Sequence, residues 1–297
     1  MKIFQYIFGG IELIIDRLYK EVEKKGNVCV GLDTHLDYIP EEIKREYKDV
    51  DEIIFQFNKK IIDSTMDITS IYKLQIAYYE AYGIKGLMAY KRTLEYIKYN
   101  NFLSIGDVKR GDISSTAEMY GKAHFEGDFE TDFITLNPYM GFDSITPYLK
   151  YLDTGNKGVF VLLRTSNPGA KDIQYLDINH EKLYYNVGDK LKVLASKYIG
   201  ENGYSLIGAV VGGTHVDEAK DIRRRYEDIY FLIPGYGAQG GKGKDVSLYL
   251  NNGNGGIVNS SRGIITAYKK YEDGYKNFEH YTRQAVLSMR EDIRCEG

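Results

Sequence analysis

Eight short apolar runs, each followed by a stretch long enough for a helix, constrain this chain more than any other feature of its sequence. They fall at 28–32, 71–76, 102–108, 131–136, 158–163, 205–211, 229–233 and 256–258. Each is short and β-branched, as expected of parallel strands buried on both faces. The segments between them carry helical signals. Leu87, Tyr90, Leu94 and Ile97 recur at helical spacing, as do Val216, Ala219 and Ile222. Pro40 followed by Glu41 and Glu42 reads as a helix start, with proline in the first turn and acids near the positive end. Alternating strand and helix argue for a parallel α/β fold, and eight units favour a closed (β/α)8 TIM barrel over an open sheet. The 297 residues suit one barrel domain, which typically needs roughly 250, although two smaller domains would fit the length equally well. No linker or repeat divides the chain, so 1–297 is read as a single domain with residues 1–26 as an N-terminal helical cap.

Composition narrows the partners. The formal net charge is -3, which gives no reason to expect nucleic acid or a membrane surface. Any phosphate site must therefore be local. No apolar run approaches the ~18 residues of a membrane span. The apolar start at 1–11 is interrupted by Glu12 and Asp16 with no small-residue cleavage site after it, so it reads as a leader into a helix. Cys29 and Cys295 are far apart and lack metal-ligand spacing. Cys29, inside an apolar run, reads as a core residue, and the pattern suits a reducing cytoplasm.

The positions of the charges are the functional signal. Strand side chains alternate faces, so residues two apart share one. Asp107 and Lys109 share a face in the third strand, Ile71, Lys73 and Gln75 in the second, and Gly31 and Asp33 in the first. Charges inside a barrel are costly unless paired or partly solvated, so they belong near the open C-terminal rim, where barrel active sites are built. Asp33, Lys73, Asp107 and Lys109 all lie at or near strand C-termini, and Asp112 follows in the same loop. One lysine–aspartate pair would ordinarily be structural; three neighbouring strands contributing charges point to function.

A second constellation comes late. Pro234-Gly235-Tyr236-Gly237-Ala238-Gln239-Gly240-Gly241 follows the seventh strand and Asn259-Ser260-Ser261-Arg262-Gly263 the eighth. Barrel enzymes often bind phosphate with these two loops, where glycines let N–H groups approach the oxygens and an arginine offers a planar fork. Thr165-Ser166-Asn167-Pro168-Gly169-Ala170, after the fifth strand, reads equally as a polar turn or as a hydrogen-bonding edge for a polar heterocycle. The histidines are scattered, and His35 is expected to make a rim hydrogen bond.

Asp107-Val108-Lys109-Arg110-Gly111-Asp112-Ile113 resembles the Asp-x-Lys-x-x-Asp signature of the orotidine 5′-monophosphate decarboxylases. Gly31-Leu32-Asp33, Lys73, Ser166-Asn167-Pro168-Gly169-Ala170, the 234–241 loop and Arg262 extend the resemblance over nearly the whole chain. It is closest to the longer bacterial class, with extra segments around 36–50 and 171–190. The resemblance implies a cofactor-free and metal-free decarboxylation of orotidine 5′-monophosphate to uridine 5′-monophosphate in pyrimidine biosynthesis. It implies a charged tetrad of Lys73, Asp107, Lys109 and Asp112, with Lys109 stabilising and protonating the C6 carbanion. It implies a homodimer in which Asp112, with Ile113 and Thr116, reaches the neighbouring subunit's site. Asp33 would hold a ribose hydroxyl, Ser166 the pyrimidine edge, and Gln239, Arg262 and the backbone near Gly263 the phosphate; Asn137 and Pro234 complete the expected binding set. Arg110 is expected at an interface or in a surface ion pair.

Two other readings compete. Metal-dependent decarboxylases of phosphorylated keto-sugar acids share the Asp-x-Lys-x-x-Asp pattern but carry glutamate where this chain has Lys73, and a cation beside a divalent metal is repulsive. A barrel that only binds nucleotides would be marked by lost catalytic residues, and no member of the tetrad is missing.

Overall fold

The computed structural model describes residues 12–214, 216–237 and 240–294. Eight parallel strands close into a barrel: β1 (Val28–Gly31), β2 (Ile71–Gln75), β3 (Ser104–Arg110), β4 (Phe133–Leu136), β5 (Gly158–Arg164), β6 (Ile207–Val211), β7 (Phe231–Pro234) and β8 (Gly256–Ser260). Each strand pairs with its neighbours in sequence, and β8 returns to β1. A separate two-stranded hairpin, Asp177–Ile178 with Glu181–Lys182, stands outside the barrel in the segment expected to be extra.

All eight apolar runs contribute a strand, yet their limits differ from the hydropathy. Four strands, β3, β4, β6 and β7, begin two residues after the run does. Leu103, Leu206 and Ile229 in those approaches are buried, so they are apolar because they are covered and not because they pair. In the other direction, β8 continues through Asn259 and Ser260, where hydropathy has already ended. The ladder runs on into the polar residues that form the site.

Helices cover the barrel. The expected stripes lie on Gly83–Tyr99, which buries Tyr90, Leu94 and Ile97, and on Val216–Arg225, which buries Ala219 and Ile222. Val216 itself, at the first turn, is exposed. Pro40 is the N-cap of Glu41–Glu46 and so sits one residue earlier than a first-turn proline. Tyrosine builds much of the core between barrel and helices, and the hydroxyls of Tyr79, Tyr230 and Tyr268 find partners there. The Tyr79 hydroxyl donates to the Leu32 carbonyl at 2.8 Å, which anchors the chain one residue before Asp33.

The helix Ile14–Lys25 buries Ile14, Ile15, Leu18 and Val22 and spans the N-terminal ends of the strands. Its Ile14 N–H donates to Gly155 before β5, its Arg17 to Asn101 before β3, and its buried Asp16 accepts N–H groups of Glu201 and Asn202 before β6. The floor of the barrel is thus closed, and the C-terminal end stays open for chemistry. Residues 1–11 of the expected cap lie outside the described residues.

Candidate active site

Four charges form an alternating chain at the C-terminal end of β1, β2 and β3. Lys73 Nζ lies 3.2 Å from Asp33 Oδ1 and 3.1 Å from Asp107 Oδ2, and Lys109 Nζ lies 2.6 Å from Asp107 Oδ1. The strand register delivers them: Gly31 lies beside Lys73, and Gln75 beside Asp107. Buried charges are tolerable when each is paired and hydrogen-bonded, and this chain is formally neutral. Burial opposes ionisation of Asp107, but the Lys73 and Lys109 ammoniums outweigh it and hold the carboxyl well below its usual range. Lys73 is buried as well, which works against its charge, and Asp33 and Asp107 together raise its pKa above the usual lysine value. Both groups therefore stay ionised across neutral pH.

Simple alternation does not account for Lys109. The pairing of β3 with β4 shifts register between Gly106 and Arg110, and Lys109 adopts φ 44. A non-glycine residue in this left-handed region costs roughly 1 kcal/mol, so the surroundings must hold it there. Thr135 on β4 does so: its hydroxyl accepts the Lys109 N–H at 2.9 Å and donates to Asp107 at 2.9 Å. The Lys109 side chain remains 46% exposed, so its ammonium is available to a ligand.

The cluster forms one wall of a cavity of about 410 Å³. Leu162, Val210 and Leu232 give it an apolar face; Thr165, Ser166, Asn167, Pro234 and Asn259 complete the lining. Ser166 can stand there because residue 212 is glycine: a Cβ at Gly212 would lie 2.7 Å from the Ser166 nitrogen. Gln174 clamps the same loop, accepting the Thr165 N–H at 2.9 Å and donating to its hydroxyl at 2.8 Å. Beneath it, the fully buried Arg164 pairs with Glu218 at 3.1 Å and donates to Tyr175 at 2.9 Å, tying β5 to Val216–Arg225. A wider cleft of about 620 Å³ opens between Ile14–Lys25 and Phe278–Arg294, but at the barrel's N-terminal end, away from this chemistry.

The remaining expected residues are spread around the mouth. Arg262 and Gly263 open the short helix Arg262–Ile265 after β8; both are exposed, and the Arg262 guanidinium makes no ion pair among the described residues. Asp112 does not join this chain's cluster: its carboxylate accepts the Ile113 N–H at 2.8 Å instead. Ile113 and Thr116 are exposed beside it. The Asn137 side chain accepts the Tyr139 N–H at 3.0 Å and caps a turn, outside the cavity lining. Gln239 lies outside the described residues. His35 accepts the Asp37 N–H at 3.2 Å on the rim. Arg110 is half-buried and makes an ion pair of the expected kind, with Glu80 at 3.7 Å, while its Nε also lies 3.3 Å from His124 and its guanidinium over the Tyr120 ring. Sequence reasoning missed Thr135, Gln174 and the Arg164–Glu218 pair, and named Ser261 only as part of the loop before Arg262, without its bond to Asp33. Thr135 was within reach of it, as a polar residue at the C-terminal end of the strand next to Asp107; Gln174 folds back on Thr165 within one loop, and Ser261 and the Arg164–Glu218 pair meet their partners only through the fold.

A closed parallel barrel with a lysine–carboxylate chain at its C-terminal mouth places the chain among the (β/α)8-barrel enzymes. It belongs to the orotidine 5′-phosphate decarboxylase / HUMPS family, whose model matches residues 26–275. An orotidine 5′-phosphate decarboxylase of Petrotoga mobilis is 70% identical over 286 residues, covering 96% of this chain and 99% of the relative. One from Clostridium novyi is 60% identical, with 96% and 99% covered. Among solved structures, a putative orotidine 5′-phosphate decarboxylase from Streptomyces avermitilis superposes with a TM-score of 0.79 at 26% identity, covering 96% of each chain.

Proposed function

We propose that this chain decarboxylates orotidine 5′-phosphate to uridine 5′-monophosphate and CO₂, the closing step of UMP synthesis, using its own lysine in place of a metal or organic cofactor. The observation that carries the reading is the Lys109 ammonium, fixed 2.6 Å from Asp107 and facing the cavity. Breaking the bond from C6 to the carboxylate leaves an electron pair on C6 with no ordinary sink. An ammonium beside C6 stabilises that pair and then delivers the proton that forms the C6–H bond; water returns the proton to Lys109. Lys73, Asp107 and Thr135 hold Lys109 in place.

The binding roles follow the site's layout. Asp33 takes a ribose hydroxyl, Ser166 the pyrimidine edge above the apolar face, and Arg262 with the adjoining Gly263 the phosphate; Gln239, the other expected phosphate contact, lies outside the described residues. The phosphate lies remote from C6, so its binding energy is available to hold the substrate for the chemical step. Metal chemistry of the keto-sugar type does not fit these residues. The Lys73 ammonium already bridges Asp33 and Asp107, and a divalent cation there would meet two lysines.

The assembly we propose is a homodimer in which Asp112 completes the partner's charged tetrad. Its supports are Asp112 turned away from its own chain's cluster and the exposed Ile113, Met119, Tyr139 and Met140 on the segments after β3 and β4. No helix among the described residues is long and apolar enough to cross a membrane. The free, buried Cys29 thiol accords with work in the cytoplasm.

The test is an ultraviolet assay of the purified protein with orotidine 5′-phosphate and a strong chelator. Loss of the orotate chromophore at full rate is expected. Activity confined to a keto-sugar phosphate with Mg²⁺ would overturn the reading of Lys73 and of the reaction.

A further inference from the structure

A serine at a helix N-cap ordinarily turns its hydroxyl back to accept an N–H of its own first turn. Ser261 is the N-cap of Arg262–Ile265, and its side chain makes no such bond. Its hydroxyl instead crosses the seam between β8 and β1 and donates to Asp33 Oδ2 at 2.8 Å. The strand opposite makes room for it. A Cβ at Gly31 would lie 2.0 Å from Ser261 Oγ and 2.9 Å from Ser261 Cβ. Gly31 has no positive φ to explain it, so the close approach of this hydroxyl is what a side chain there would forbid.

The other Asp33 oxygen accepts from Lys73 at 3.2 Å, and Lys73 leads through Asp107 to Lys109. A carboxylate gripped at one oxygen turns readily about its last torsion, which is broad and two-fold. Gripped at both, it keeps a fixed plane and fixes the ammonium beside it. Ser261 is covalently next to Arg262, so its hydroxyl is the first link between the turn that carries Arg262 and the four-charge chain.

We propose that Ser261 is a positioning residue for decarboxylation, coupling the phosphate-gripping turn to the Asp33–Lys73 end of the charge chain. The proposal rests on the functional reading above. A seated phosphate immobilises the turn, and the hydroxyl passes that order to Asp33. With no phosphate the turn is free, and the same hydroxyl has less to pass on.

The experiment compares wild type, Ser261→Ala, Gly31→Ala and the double variant on orotidine 5′-phosphate and on orotidine, which lacks the phosphate. Ser261→Ala is expected to lower kcat/KM on the nucleotide by about ten- to a hundredfold, the size of a hydrogen bond to a charged group. Its loss on the nucleoside should be clearly smaller. Gly31→Ala should reproduce this pattern by displacing the hydroxyl, and the double variant should be no worse than the weaker single one. Thermal unfolding of each variant reports whether the barrel is intact. Equal proportional losses on the two substrates, no loss on the nucleotide, or losses that multiply in the double variant would each overturn the proposal while leaving the functional reading standing. A wild-type protein inert on the nucleotide would overturn both.

Discussion

Lys109 concentrates the design at the scale of one residue. Its backbone is held at φ 44, its N–H is taken by Thr135, and its ammonium is held by Asp107 at 2.6 Å. Three constraints on a single residue, two on its backbone and one on its ammonium, are what preorganised electrostatic catalysis requires, because the donor must not reorganise as charge develops. Replacing it therefore removes both the stabilising charge and the proton donor. Lys109→Ala is expected to lower kcat by about 10⁴-fold or more, the combined size of an electrostatic donor and a general acid. Affinity for the product nucleotide, measured calorimetrically, should largely survive, because the phosphate and base contacts lie elsewhere. Substantial turnover in that variant would remove Lys109 from the chemistry.

At the scale of elements, the catalytic strand depends on the helix that follows it. Ser114–Phe125 carries His124, which is buried with its Nε2 3.3 Å from Arg110 Nε on β3. Burial, and then the Arg110 charge, push the His124 pKa down to about 4. An unfolded histidine titrates near 6.5. Between those values the unfolded chain binds one more proton than the folded one, so stability falls as pH drops from about 6.5 to about 4 and is unaffected by this group above that window. The full drop is about 3 kcal/mol. Urea midpoints measured across that range should show the slope, and His124→Phe should flatten it; an unchanged slope would place the acid sensitivity elsewhere. Asp107, held below the ordinary carboxylate range, loses its contribution only at still lower pH. The same scale explains what the sequence discloses. The eight strands are legible because each has to be apolar on both faces, and Asp33, Lys73 and Asp107 are legible because charges interrupt apolar strands. The left-handed turn at Lys109 is not, since it depends on Thr135 from the next strand. Ser261 and Gly31 are separated by most of the chain and Arg164 and Glu218 by 54 residues; neither residue of either pair has a local pattern that announces the other. Asp112 is legible as a residue of the signature, but its place in space is not.

At the scale of the whole molecule, one barrel brings four charges together and leaves Asp112 outside them. Within a chain the charge series is Asp33, Lys73, Asp107, Lys109, and Asp112 bonds to its own backbone instead. Exposed Ile113 beside Asp112, with Met119 on the helix that follows and Tyr139 and Met140 after β4, offers apolar surface, where a two-fold interface would bring each Asp112 to the other's Lys109. This arrangement predicts complementation. Lys109→Ala and Asp112→Ala should each be nearly inactive alone. In a dimer of one of each, the Asp112→Ala subunit still has its own Lys109 and receives Asp112 from its partner, so one of the two sites is whole. Random exchange makes about half of the dimers mixed, so about a quarter of wild-type activity should return after the two proteins are unfolded and refolded together. Titrating the ratio should move the recovered activity with the product of the two fractions. If dimers form but no activity returns, Asp112 serves its own chain's site, and the loop after β3 would have to swing inward on binding substrate to bring it there.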